Sequence, residues 1–191
     1  MYNIYYKRKI MLRIVAGKFR HLQITQPDLK TTRPTMDKVR EAIFSSIQFE
    51  LPNAVFLDLF AGSGAFAIEA ISREANSAVA VENNKETFSI LRENVLKTKS
   101  NQLFDLHYKG ALDYLKISKQ KFDIVFIDPP YVEYELINQC LIELKQRNLL
   151  SENFTVIIET NDAKKIIFDD FYYLYKQKKY GKVEVLYLCK N

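Results

Sequence analysis

The stretch Val55-Phe56-Leu57-Asp58-Leu59-Phe60-Ala61-Gly62-Ser63-Gly64-Ala65-Phe66-Ala67 decides the fold. Its apolar run from Val55 to Leu59 predicts a short buried strand, followed by a glycine-containing loop. The pattern from about Gly64 to Arg73 predicts a helix. A strand that passes through such a loop into a helix opens an α/β unit. Glycine lets the backbone approach a ligand, and the helix N-terminus offers free N–H groups.

The same alternation continues downstream. Ala78 to Val81 predicts a second strand, Phe88, Leu91 and Val95 mark a helix, and Leu103 to Tyr108 predicts a weaker third strand. Leu112 and Leu115 mark a short helix. Phe122 to Ile127 is nearly all apolar, as expected of a central parallel strand covered on both faces, and it stops at Asp128-Pro129-Pro130-Tyr131. A helix carrying Leu136, Ile137, Cys140, Leu141 and Leu144 follows, then a strand from Phe154 to Ile158. Tyr172 to Lys178 and Val183 to Leu188 predict a hairpin about Tyr180-Gly181-Lys182. The expected architecture is a mostly parallel sheet with helices on both faces and a C-terminal antiparallel hairpin.

Upstream, Leu12 to Phe19 and His21 to Ile24 predict two short strands around Gly17 and Lys18, a small β extension. Thr35 is the expected N-cap of a helix in which Val39, Ala42, Ile43, Ser46 and Ile47 recur at helical spacing until Pro52. Lys38 and Arg40 are then expected to stay solvated. Residues 1–50 thus form an N-terminal part and residues 51–191 the α/β domain.

The 191 residues, 48% hydrophobic and 27% charged with few Gly and Pro, have a globular profile rather than a disordered one. No apolar run is long enough to cross a bilayer, and Met1 to Lys9 lacks the apolar core of a secretory signal, so a cytoplasmic protein is expected. Cys140 and Cys189 lie in apolar contexts without metal-type spacing, which predicts buried reduced thiols and no metal. The net charge of +5 is uneven: residues 1–40 hold ten Lys or Arg against two Asp, and the remainder holds eighteen against twenty-one acids. A basic N-terminal part suits a polyanion, because cationic side chains release counterions from phosphates. A solvated basic surface gives the same composition.

Gly62-Ser63-Gly64-Ala65-Phe66-Ala67 also fits the dinucleotide fingerprint G-x-G-x-x-A, with Glu82 at the next strand end to bind ribose hydroxyls. Asp58 distinguishes the ligands. A carboxylate just before the glycines repels a pyrophosphate but suits the cationic amino-acid end of S-adenosylmethionine. Asp58 to Gly64 resembles the first motif of class I methyltransferases. Asp58, Phe60, Ala61, Gly62, Ser63, Gly64, Glu82, Asn83, Gly110 and Ala111 are the expected cofactor-binding residues.

Asp128-Pro129-Pro130-Tyr131 is the more specific signal, because two prolines fix a rigid extended backbone. An exocyclic amine conjugated to a purine is a poor nucleophile, since its lone pair is delocalised into the ring. The Asp128 side chain and the Pro129 carbonyl, by accepting its N–H bonds, localise that pair and aim it at a methyl donor. Tyr131 stacks on a base turned out of its helix. The tetrapeptide resembles the fourth motif of amino-methyltransferases acting on adenine N6, guanine N2, cytosine N4 or protein glutamine.

Arg13-Ile14-Val15-Ala16-Gly17-Lys18-Phe19-Arg20 and Arg33-Pro34-Thr35-Met36-Asp37-Lys38-Val39-Arg40-Glu41 narrow the choice. Together with both motifs, Ile158-Glu159 and the hairpin around Tyr180-Gly181-Lys182, they resemble the 16S rRNA guanine-N2 methyltransferases known as RsmD. The likeness runs from Met11 across nearly the whole chain. For residues 1–10 the resemblance identifies no counterpart, and Met11 is an alternative expected start. The resemblance implies a Rossmann-like seven-stranded sheet, S-adenosylmethionine as cofactor, and a guanine of 16S rRNA in the small subunit as substrate for a monomeric enzyme. It makes Lys18, Arg20, Arg33, Lys38 and Arg40 the RNA-contact candidates, with Arg33 and Thr35 alternatively helping to close the active site. One departure is Gly110-Ala111, where many relatives carry Asp or Asn before the Ala; Asp113 or the Ala111 amide is left to reach adenine. The rival readings are a DNA adenine-N6 methyltransferase, which normally carries a long target-recognition insertion, and a nucleotide-dependent oxidoreductase or an RNA-binding module on the same frame.

Overall fold

A computed structural model describes residues 11–27, 34–130 and 133–191. The chain runs β1 (Met11–Arg13), β2 (Gln23–Thr25), α1 (Pro34–Ser46), β3 (Val55–Asp58), α2 (Ala65–Ser72), β4 (Ser77–Glu82), α3 (Lys85–Lys97), β5 (Phe104–Tyr108), α4 (Ala111–Ile117), β6 (Phe122–Ile127), α5 (Tyr134–Gln146), β7 (Leu150–Thr160), β8 (Tyr172–Tyr180) and β9 (Val183–Lys190). β3 to β9 form one seven-stranded sheet in the order β5-β4-β3-β6-β7-β9-β8, and β1 pairs only with β2. Pairings are parallel from β5 across to β7, whereas β9 is antiparallel to both β7 and β8. This is the α/β architecture expected from the sequence.

The strand order follows from polarity. Val185 to Leu188 of β9 are buried, so β9 takes the interior place beside β7. β8, with Lys176, Lys178 and Lys179, alternates exposed residues and takes the edge, where charge discourages pairing with another chain. Successive residues of each central strand face opposite layers. Phe56 packs in one core with Phe44, Ile68 and Leu91, and Leu57 in the other with Leu115, Leu141 and Ile158. α1 to α3 therefore cover one face of the sheet, and α4 and α5 the other.

The N-terminal strands are shorter than the sequence predicts, because Glu69 competes for their backbone. Glu69, fully buried on α2, accepts the Val15 amide at 2.8 Å, the Ala16 amide at 3.0 Å and Arg73 Nε at 2.8 Å. Gly17 then turns at φ +77° against α2, where a Cβ would stand 1.8 Å from the Ser72 carbonyl oxygen. The extension belongs to the core as well: Ile14 and Ile24 pack with Ile43, Phe44 and Phe56. β7 is longer than expected, beginning at Leu150 beside Phe122. Cys140 is buried, with its thiol pushed up to about 12, but Cys189 is only half-buried, a correction, since it lies near the end of β9, one residue past the last pair with β7.

In this order the connection from β3 turns to β4 on one side while β6 lies on the other. Open α/β sheets bind ligands in the crevice at such a reversal, beyond the carboxyl ends of the strands. Asp58 and Asp128 stand at those two strand ends.

Candidate active site

The loop after β3 is tied down by its own amides. Leu59 N–H donates to the Phe126 carbonyl (3.1 Å), Ala61 N–H to Val81 (2.9 Å) and Gly64 N–H to Ala61 (2.7 Å). Gly64 has φ +80°, and a Cβ there would meet Leu91 Cδ1 at 2.4 Å, so glycine lets α2 seat against α3. Asn94, fully buried on α3, donates to the Ser63 carbonyl at 2.8 Å and holds β2 through both backbone groups of Thr25 at 2.7–2.8 Å.

Around the cleft these elements enclose a cavity of about 370 Å³, within the usual size of small-molecule sites. Asp58, Phe60, Ala61, Gly62, Ser63, Glu82, Asn83 and Ala111 border it, as do Asp128 and Pro130. Gly64 and Gly110 do not line it. Glu82 is aimed by the Gly62 amide at 2.9 Å and the Asn84 amide at 2.7 Å. Pro129 is buried, and Tyr131 lies outside the described residues. Asp113 Oδ2 stands 3.3 Å from where a Cβ on residue 110 would be.

Burial governs the acids. Asp58 is 1% exposed, and desolvation pushes its carboxyl up to about 7 against the pull of the Phe60 and Ala67 amides, with Glu82 adding repulsion. Its Oδ1 has no hydrogen-bond partner among the described residues. Desolvation, then repulsion from Glu159 and Asp58, holds Asp128 well above the usual carboxylate range. Glu159, likewise pushed up to about 7 by desolvation, directly follows Ile158, which pairs with Ile127; it therefore flanks Asp128.

Sequence reasoning missed several members of this cavity: Leu12, Gln26, Pro27, Phe66, Phe126 and Glu159. Phe66 and Phe126 stack with centroids 3.8 Å apart and rings 10° from parallel, forming an aromatic wall. In the sequence both look like core residues. Glu159 did carry a signal, an acid ending an apolar strand as Asp58 and Glu82 do.

Lys18, Arg20 and Lys38 are exposed, and Arg33 lies outside the described residues. Arg40 is corrected: it is 3% exposed, not solvated, and borders the cavity. The cause is its place on α1, one and two turns before Phe44 and Ile47, which are buried. Its Nη2 donates to the Arg13 carbonyl at 2.7 Å and lies 3.1 Å from Asp37 Oδ1.

An unpartnered carboxylate oxygen at the floor of a cavity asks for a donor, and anions are unwelcome beside it. Glu82 offers acceptors to hydroxyls at the next strand end. A ligand joining an ammonium to a ribose answers both, and S-adenosylmethionine has that constitution. With this cavity at the reversal point of a Rossmann-like sheet, the chain is in the class of S-adenosylmethionine-dependent methyltransferases. More particularly, residues 12–189 match the family described as "Conserved hypothetical protein 95", and the chain belongs to that family. It is 30% identical to the Ribosomal RNA small subunit methyltransferase D of Buchnera aphidicola subsp. Acyrthosiphon pisum, covering 100% of both chains. The protein of that name from Haemophilus influenzae is 32% identical over 90% of each chain. Among solved structures, "Putative methyltransferase yhhF from Escherichia coli" superposes with a TM-score of 0.85 at 27% identity, over 95% of this chain and 99% of that one. Among the described residues, no helix is long and apolar enough to cross a membrane.

Proposed function

We propose that this protein methylates the exocyclic N2 amine of a guanine in 16S rRNA of the small ribosomal subunit. The observation that carries this reading is the convergence of Asp58, Asp128 and Pro130 on one cavity. The names of the relatives support a ribosomal RNA substrate. S-Adenosylmethionine supplies an electrophilic methyl group on a sulfonium. Asp58 would hold its ammonium, Glu82 its ribose hydroxyls, and Phe60, Asn83 and Ala111 its adenine.

The Asp128 carboxylate and the Pro129 carbonyl accept the two N–H bonds of the amine and line it up for in-line attack. Bound there, S-adenosylmethionine would supply the methyl group for this attack and a neutral thioether as leaving group, and the Asp128 carboxylate would take the proton lost from nitrogen. Tyr131 stacks on the flipped base. Lys18, Arg20, Arg33 and Lys38 hold RNA phosphates, so residues 1–50 face RNA while residues 51–191 carry out the transfer. The enzyme acts as a cytoplasmic monomer.

The test is incubation of unmodified small subunits, naked 16S rRNA and DNA with labelled cofactor, followed by mapping of the methylated base. N2-methylguanine in 16S rRNA is the expected product. Label on DNA adenine, or on no nucleic acid, overturns the substrate reading.

A further inference from the structure

Of the side-chain atoms that are buried without a hydrogen-bond partner among the described residues, three belong to residues bordering the same cavity: Asp58 Oδ1, Gln26 Oε1 and Arg40 Nε. Two are acceptors and one is a donor. Gln26 is 7% exposed and Arg40 3%. Gln26 follows β2 and precedes Pro27, and Arg40 sits on α1.

Arg40 is unusually poorly compensated for a buried cation. A guanidinium has five N–H donors, and among the described residues the partners of this one are the Arg13 carbonyl and Asp37, both at Nη2. Asp37 is 51% exposed, so that ion pair is weakened by solvent. A buried charge left in this state calls for a further anion. Asp58, Asp128 and Glu159 border the cavity with Arg40, but none of them is in a salt bridge with it among the described residues. Gln26 Oε1 poses the opposite demand, for a donor.

We infer that Gln26 and Arg40, both from the N-terminal segment, bind the amino-acid end of the cofactor: Arg40 donates to its carboxylate, and Gln26 Oε1 accepts from its ammonium beside Asp58. The inference rests on S-adenosylmethionine being the cofactor. A zwitterion offers a donor and an acceptor group on one carbon, which answers all three orphan atoms at once. Arg40 thereby leaves the set of RNA contacts and becomes a cofactor residue. The N-terminal segment also gains a second role, contributing Gln26 and Arg40 to the cavity border while Lys18 and Arg20 stay exposed.

The test is calorimetric binding, with no methyl transfer involved. Three ligands are compared on the full chain: S-adenosylhomocysteine, its decarboxylated analogue, which keeps the amine, and 5′-methylthioadenosine, which has neither group. Arg40→Met is expected to weaken S-adenosylhomocysteine by about 10- to 100-fold, the range of hydrogen bonds to charged groups, and to leave the decarboxylated analogue within about twofold. Arg40→Lys recovers part of the loss, since it keeps the charge without the planar fork. Gln26→Leu is expected to weaken both amine-bearing ligands and to spare methylthioadenosine. Equal losses on all three ligands, which a purely structural role through the Arg13 carbonyl would give, overturn the inference. So does unchanged binding. If Arg40→Met does not fold, Arg40→Lys and Gln26→Leu decide by the same ligand pattern. Failure of the unaltered protein to bind S-adenosylhomocysteine is a different result, and it removes the cofactor reading itself.

Discussion

Asp58 pairs with Phe126 in the parallel register of β3 and β6, two residues short of Asp128, so neighbouring strands bring the two carboxyls to one cavity. Desolvation raises both carboxyls, and Asp58 adds to the repulsion that lifts Asp128 above the usual carboxylate range.

Replacing Asp128 by Ala is expected to lower kcat by about 10²- to 10³-fold, the usual loss for one charge-stabilising group. S-Adenosylhomocysteine affinity changes little, because Asp58 and Glu82 remain. Single-turnover transfer and calorimetry on the same variant check the two halves; near-normal transfer contradicts the assigned role.

Cofactor affinity should rise with pH. Asp58 has a folded-state pKa of about 7, above its ordinary value of 3.8, so the folded unliganded protein holds this proton more tightly than the unfolded chain. The associated stability is present below the ordinary carboxylate range and is lost as pH rises through about 7. Binding of a cation runs the other way, because it needs the ionised carboxylate. Thermal melts with and without S-adenosylhomocysteine, from about pH 5 to about pH 8, should show a ligand-induced Tm shift that grows with pH. Asp58→Asn should flatten that dependence, and a shift that shrinks with pH speaks against the assignment.

Asn94→Ala is expected to destabilise the fold by about 2–4 kcal/mol, because the Thr25 amide and carbonyl and the Ser63 carbonyl lose their buried partner together. It should also weaken S-adenosylhomocysteine, since the loop carrying Ser63 loses its tether to β2. Urea denaturation and calorimetry check the pair; a loss of stability with unchanged affinity uncouples the loop from Asn94.

Gly17→Ala meets backbone rather than a movable side chain, with φ at +77° and the Ser72 carbonyl in the path of the new Cβ. A loss of about 2 kcal/mol or more is expected. Chemical denaturation reads it directly, and a cost near zero shows that the segment shifts away from α2 freely.

Charge removal at Lys18, Arg20 and Lys38 should weaken binding of 16S rRNA and make it less salt-dependent, by about 0.7–0.9 in the log–log slope for each phosphate that is no longer neutralised. S-Adenosylhomocysteine affinity is expected to stay unchanged. Filter binding across a salt series separates this from a general loss of structure, which lowers both.

Sequence by itself determined the order of strands and helices and put acids at the ends of β3, β4 and β6, because these signals are local: an apolar run, a glycine turn, a pair of prolines. The likeness of the N-terminal segment to a family of ribosomal RNA methyltransferases was legible in the same way. Tertiary structure decided what depends on distant partners. β1 and β2 stop short because Glu69, more than fifty residues away in the chain, takes the Val15 and Ala16 amides. β9 lies inside β8 because its apolar residues are buried against β7. Arg40 turns inward with Phe44 and Ile47, and Gln26, Phe66, Phe126 and Glu159 become neighbours of Asp58 only once the sheet and α1 are assembled. Burial and the pairing of polar atoms are properties of the packed chain, and they moved Arg40 from the expected solvated surface to the edge of the cavity that Asp58 and Asp128 border.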